Sequence, residues 1–130
     1  MLMKTRAATV LALALAGATA ANAQALMPAK VTDTSKGKAL VDQKGMTLYV
    51  FDKDAAGKSA CNGQCAANWP PLTAASGAAA SGDWTVVMRD DGSKQWAYKG
   101  KPLYTFAKDT KPGDITGDGF LNGAWHLAQP

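Results

Sequence analysis

The chain has 130 residues, with 14 Lys and Arg against 10 Asp and Glu and a single His. Every acidic residue is Asp, which favours turns and loop ends where Glu would favour helix, so the composition argues against a helical protein. The lysines are scattered among aspartates rather than massed, which leaves no basic face for nucleic acid.

The first 23 residues read as a secretory signal peptide: "MLMKTR" is basic, Ala7–Ala20 is apolar, and small residues at Ala21 and Ala23 place the cut before Gln24. About 14 apolar residues fall short of the roughly 20 that a membrane-spanning helix needs. No cysteine sits at the cut, so no lipid anchor is expected. From Gln24 to Pro130 the chain is then an exported single domain, periplasmic or extracellular, with 12 basic residues against 10 acidic ones, a net of +2.

Within it, "LYVFDKD" at Leu48–Asp54 returns as "LYTFAKD" at Leu103–Asp109. The likeness extends over residues 28–72 and 84–128. In each copy a strand-like run, a polar turn ("DTSKG" or "DDGSK"), a second run and a second turn ("DQKG" or "YKGK") lead to the Tyr-x-Phe strand. A Gly-rich loop then reaches a tryptophan, Trp69 or Trp125, 20 or 21 residues after the tyrosine. Such self-similarity signals one supersecondary unit used twice. Residues 73–83, "TAASGAAASGD", read as a flexible Ala/Ser/Gly linker.

The runs "WTVVMRD", "KQWAY" and "KPLYTF" are short, β-branched or aromatic, and separated by turns. Asp91-Gly92 and Lys99-Gly100 supply hairpin turns, since Gly takes the positive φ these require. The predicted fold is mainly β: two antiparallel meander repeats packed by a pseudo-twofold, with long loops and little helix. Packing them together pools two apolar faces into a core that neither half could build alone. On each strand Tyr49 and Phe51, or Tyr104 and Phe106, share one face, with Leu48 and Val50, or Leu103 and Thr105, on the other, as expected of a central strand. Asp54 and Asp109 fall just past the strand ends, where a carboxylate caps backbone N–H groups; "DAAG" (Asp54–Gly57) has the form of a type I turn. The repeated motif is therefore read as scaffold.

The repeated Tyr-x-Phe-x-x-Asp, with "CNGQCAANWPPL" after the first copy and "GAWHLA" after the second, resembles a family of bacterial exported proteins. That family is described as a secreted repeat, or as predicted lipoproteins with a Tyr-x-(Phe/Trp/Tyr)-x-x-Asp motif. The resemblance covers nearly all of residues 24–130 but implies little about activity. The lipidation cysteine of many relatives is missing here, so their membrane anchor is not carried over.

Cys61 and Cys65 are the only cysteines. In an oxidising compartment two close cysteines form a disulfide, which at this spacing needs Cβ atoms about 4 Å apart and hence an irregular turn around Gly63, with Asn62 and Gln64 outward. Two sharper uses of the pair stay open. Soft thiolates could hold Cu(I) with a methionine, Met46 or Met88, and His126, although Met88 alternates within its strand and is expected in the core. Cys-x-x-x-Cys could also be a thiol redox pair, although the usual spacing is one residue shorter and lies at a helix start. The Cys-x-x-Cys-His of covalent haem is absent. Asp109, Asp114 and Asp118 could suggest calcium, but their spacing is not that of an EF-hand and suits a long turn better. No Ser-centred, P-loop or dinucleotide motif is present, and one His makes no triad.

The expectation is thus a small, non-enzymatic, exported binding module without a cofactor. Its partner would be a protein, an envelope component or a small molecule, met through the loops after the Tyr-x-Phe strands. The alternative is copper handling or electron transfer through Cys61, Cys65, Met88 and His126.

Overall fold

The computed structural model describes residues 28–130. The signal peptide expected over residues 1–23 lies outside the described residues. The first repeat opens with a hairpin of β1 (Ala29–Thr34) and β2 (Gly37–Asp42), in register from Thr34↔Gly37 to Ala29↔Asp42. Thr34 closes its two-residue turn by donating its hydroxyl to the Gly37 carbonyl at 2.7 Å and accepting the Lys36 N–H at 3.0 Å. At the next turn Asp42 accepts the N–H groups of Lys44 and Met46, both at 2.9 Å, an Asx arrangement that suits a short polar side chain. The chain then enters β3 (Tyr49–Phe51).

The second repeat forms the expected meander, β4 (Trp84–Met88), β5 (Lys94–Tyr98) and β6 (Lys101–Pro102), antiparallel in that order. Lys99 and Gly100 have φ of 51° and 83°, the paired positive angles of a type I′ turn that matches strand twist. In the first repeat the third run is joined to β2 through the Val41↔Thr47 bridge, with the Asp42 N–H to Met46 carbonyl bond of 2.8 Å on one side and the Leu48 N–H to Leu40 carbonyl bond of 3.0 Å on the other.

The two repeats exchange their ends. β3 pairs not with its own repeat's tryptophan segment but with β7 (Trp125–Leu127) of the other, through Phe51↔Trp125 and Tyr49↔Leu127. Reciprocally, Thr105 and Ala107 donate to the carbonyls of Pro70 and Asn68 at 2.8 and 2.9 Å. At the centre the two motif tyrosines pair with each other, N–H to carbonyl, at 2.8 and 3.0 Å. The pseudo-twofold extends outward: Leu40 donates to Ala128 as Trp96 donates to Leu72, each at 2.8 Å.

The two faces of the central strands bury separate clusters, as the alternation of side chains predicts. One contains Tyr49, Trp69, Tyr104, Phe106, Trp125 and Leu127, with Phe51 against it; the other contains Leu40, Leu48, Trp84 and Leu103, with Val50 against it. In the first cluster four rings form one stack across the pseudo-twofold. Phe51 lies on Trp125 (4.2 Å between centroids), Trp125 on Trp69 (3.8 Å) and Trp69 on Phe106 (4.0 Å). Gly117 closes one side, since a Cβ there would come within 2.7 Å of the Trp69 ring.

One expectation needs revision. Met88 is not in the core but 58% exposed. It shares a face of β4 with buried Trp84 and half-buried Val86, and the cover on that face runs out toward the strand end. The linker, residues 73–83, is exposed for most of its length yet tied at both ends, by Thr73↔Gln95 and Ser81↔Trp84 bridges.

Candidate functional site

The motif residues meet across the repeats. Tyr49 donates its hydroxyl to Asp109 Oδ2, and Tyr104 donates to Asp54 Oδ2, each at 2.6 Å. The other oxygen of each carboxylate holds its own loop: Asp54 Oδ1 accepts the Ala60 N–H at 2.7 Å, and Asp109 Oδ1 accepts the N–H and hydroxyl of Thr116. Each Asp therefore caps backbone, as its position suggests, and also braces the opposite repeat.

Burial, then the bond to Asp109, raises the Tyr49 phenol well above its ordinary range, and burial, then the bond to Asp54, does the same for Tyr104. Asp54 is raised as well, because desolvation outweighs the bonds from Tyr104 and Ala60. Above the ordinary tyrosine value of 10.0, the unfolded chain releases phenolic protons that the folded chain retains. The contribution of these two tyrosines to stability is therefore fully present below pH 10 and is lost as pH rises beyond it. Two of the three tyrosines are expected to ionise only together with loss of tryptophan near-ultraviolet circular dichroism. Smooth ionisation of all three with the core signal intact would contradict this.

Around Tyr104 lies a buried polar network that the sequence did not announce. Arg89, 5% exposed, donates through Nη1 to Ser59 Oγ (3.0 Å) and Gln95 Oε1 (2.8 Å), and through Nη2 to the Cys61 carbonyl (2.7 Å) and Asn62 Oδ1 (3.3 Å). Gln95 passes the chain on to the Leu103 carbonyl at 2.7 Å, and Ser59 lies 2.6 Å from the Tyr104 hydroxyl. The one available signal was that Arg89 is the only arginine after Arg6.

Arg89 thereby grips the cysteine loop. The sulfurs of Cys61 and Cys65 lie 2.09 Å apart, at disulfide distance. Gly63 between them takes φ 58°, and Asn62 and Gln64 are exposed. A short helix, α1 (Gln64–Asn68), carries Cys65, just past the irregular turn that the cysteine spacing predicts. The matching loop of the second repeat has Gly117 and Leu121 where the first has Cys61 and Cys65. Its own turn, α2 (Phe120–Gly123), takes left-handed angles at Leu121 and Asn122.

The alternative copper set is dispersed. The two sulfurs are bonded to each other, Met88 is exposed at the end of β4, and His126 Nε2 lies 2.8 Å from Asp52 Oδ2 at the surface. Among the described residues no group of three His, Cys, Asp or Glu side chains is placed to hold a metal. The three aspartates of the second loop also have separate tasks. Asp109 braces Tyr49, Asp118 meets Lys36 at 2.8 Å, and Asp114 accepts from Thr110 and Lys111, with the Lys111 bond lowering its carboxyl to about 2.

A surface depression runs between the repeats. Two adjoining hollows of about 380 and 350 Å³ share Val50, Asp52, Lys99 and Lys101. His126 and Tyr98 line the first, and Asp54–Ala56, at the start of the loop after the first Tyr-x-Phe strand, line the second. The Lys99 ammonium lies 5.3 Å over the Tyr98 ring. Lys36, Lys38, Lys58 and Lys111 each meet an aspartate, whereas Lys99 and Lys101, like Lys30, Lys44, Lys53, Lys94 and Lys108, meet none among the described residues.

A mainly antiparallel β chain whose two copies trade strands, tryptophans and motif partners defines a two-repeat β module. The chain belongs to the family described as a secreted repeat of unknown function, whose model matches residues 30–73 and 85–129, one residue or two from the repeat limits read in the sequence. Neither a curated protein nor a solved structure matches it. Among the described residues no helix is long and apolar enough to cross a membrane.

Proposed function

We propose that this exported module binds an anionic envelope component in the groove between its repeats. The carrying observation is the pair Lys99 and Lys101, two ammonium groups without a carboxylate partner among the described residues, which line both hollows together with Val50 and Asp52. His126, bonded to Asp52 through Nε2, stands in the wall of the first hollow, and Tyr98 and Leu103 supply apolar contact for a ligand backbone. Loops and turns on a rigid sheet are where recognition commonly sits, and the rim here consists of a tight turn and the first motif loop.

A glycerol phosphate oligomer titrated against isotope-labelled protein is the test. Shifts should concentrate at Val50, Lys99, Lys101 and His126 and weaken with added salt. The double substitution Lys99→Ala, Lys101→Ala should weaken binding about tenfold, or about 1.4 kcal/mol, while Lys38→Ala on the far hairpin leaves it unchanged. Equal loss from both substitutions would reduce the effect to net charge and sink the site.

The second reading, copper handling or redox work by Cys61 and Cys65 with His126 and Met88, draws support from one asymmetry. The second repeat reaches Trp125 with no cross-link, so a loop of this length needs none. Stoichiometric copper retained in native mass spectrometry, lost on Cys61→Ser, would favour it.

A further inference from the structure

The interior holds a constellation whose chemistry goes beyond holding the scaffold together. Trp69 and Trp125 are stacked, their ring centroids 3.8 Å apart and their planes 3° from parallel. Removal of one electron strengthens such a stack, since the positive charge is then shared by both indoles, whose ring faces are the negative end of the quadrupole. Each indole also has a phenol against it edge-on, Tyr49 at 5.5 Å from Trp69 and Tyr104 at 5.1 Å from Trp125. Each phenol already points its proton at a carboxylate 2.6 Å away.

The two ring types differ in one respect that sets a direction. The Trp125 Nε1–H is buried and has no acceptor among the described residues. An oxidised Trp125 therefore cannot shed its proton and remains a strongly oxidising cation. Tyr49 and Tyr104 each have a base in place. Asp109 accepts from three donors, as a carboxylate does.

We propose that the aromatic core is a trap for one-electron oxidising equivalents. An oxyl radical reaching the surface takes one electron from the indole pair and leaves as its anion, so the pair carries one positive charge. One electron from the Tyr49 or Tyr104 phenol then refills the indoles, while the phenolic proton crosses to Asp109 or Asp54. The products are neutral indoles, a neutral tyrosyl radical and a protonated carboxyl, so charge and atoms balance.

The experiment is flash photolysis of the intact chain with a ruthenium polypyridyl sensitiser and persulfate, in a Tyr98→Phe background that removes the third tyrosine. The tryptophan radical cation should give way to a tyrosyl radical by transient absorption and electron paramagnetic resonance. Adding Tyr49→Phe and Tyr104→Phe should make the tryptophan signal last about tenfold longer, a factor that corresponds to about 1.4 kcal/mol in barrier. Asp109→Asn with Asp54→Asn, which keep the phenols and remove the bases, should slow the same transfer. A tryptophan signal that decays alike in all variants overturns the proposal. If the tyrosine variants do not fold, solvent deuterium decides on the Tyr98→Phe chain: coupled proton transfer slows in heavy water, and an unchanged rate rejects the trap.

Discussion

Trp125→Ala is expected to cost about 3–5 kcal/mol, the range for truncating a buried tryptophan. Against the 5–15 kcal/mol typical of a whole domain, that is enough to leave the chain marginal. The size follows from position. Trp125 is fully buried, stacks on Phe51 and on Trp69, and meets the edge of Tyr104, so its removal opens both sides of the four-ring stack. Surrounding rings cannot collapse into the gap, because each is fixed by a strand of the opposite repeat. Urea unfolding should show a lower midpoint with little change in slope. Trp125→Phe should recover most of the loss: it keeps a ring in the stack and removes an N–H that has no acceptor, a burial that otherwise costs about 1–3 kcal/mol. Trp69→Ala combined with Trp125→Ala should fall short of the sum of the singles, since contacting residues couple. A loss below about 1.5 kcal/mol for Trp125→Ala, the scale of a mild core swap, would mean that the stack is not the keystone of the core.

How much of this was legible depended on whether the signal was local. The repeat, its turns and the two-faced Tyr-x-Phe strand could be read because each is written within a few residues. Lys99-Gly100 is a type I′ turn by its own chemistry, and the Tyr49/Phe51 face separates from the Leu48/Val50 face by the pleat alone. The exchange between repeats was not legible. Alternation tells which side a residue faces and says nothing about which strand lies beside it, so Phe51 could not reveal Trp125 as its neighbour. For the same reason the sequence shows Asp54 as a cap for its own loop, which it is, but not as the acceptor for Tyr104. Arg89 was invisible for a different reason. A charged residue at the end of an exposed-looking strand reads as surface, and only the arrival of Ser59, Gln95 and the Cys61 carbonyl makes its burial tolerable. The groove was half legible: the loop after the first motif was named, while the Lys99–Lys101 rim comes from the other repeat.

Arg89→Ala should cost about 2–4 kcal/mol, and the cost should fall on one loop rather than on the whole fold. Burying a guanidinium without a carboxylate partner is itself expensive, and the substitution removes that expense. What decides the sign is what stays behind. Gln95 Oε1 and the Cys61 carbonyl lose their donors in a dry setting, at about 1–3 kcal/mol each, and the space that the side chain filled is left empty. The network then fails where Arg89 touches it, at Ser59, Cys61 and Asn62, all in the loop leading to Trp69. Hydrogen exchange should quicken at Ala67 and Trp69, whose amides bond to the Gly63 and Cys65 carbonyls, while Gly119, bonded to the Trp125 carbonyl in the matching loop, stays protected. Reduction of Cys61–Cys65 should add little opening in the native chain and much more in Arg89→Ala, because the guanidinium and the cross-link hold the same segment and either one suffices. Uniform quickening across both loops would instead make Arg89 a support of the whole core, and equal responses to reduction in the two chains would show that the tethers act on separate segments.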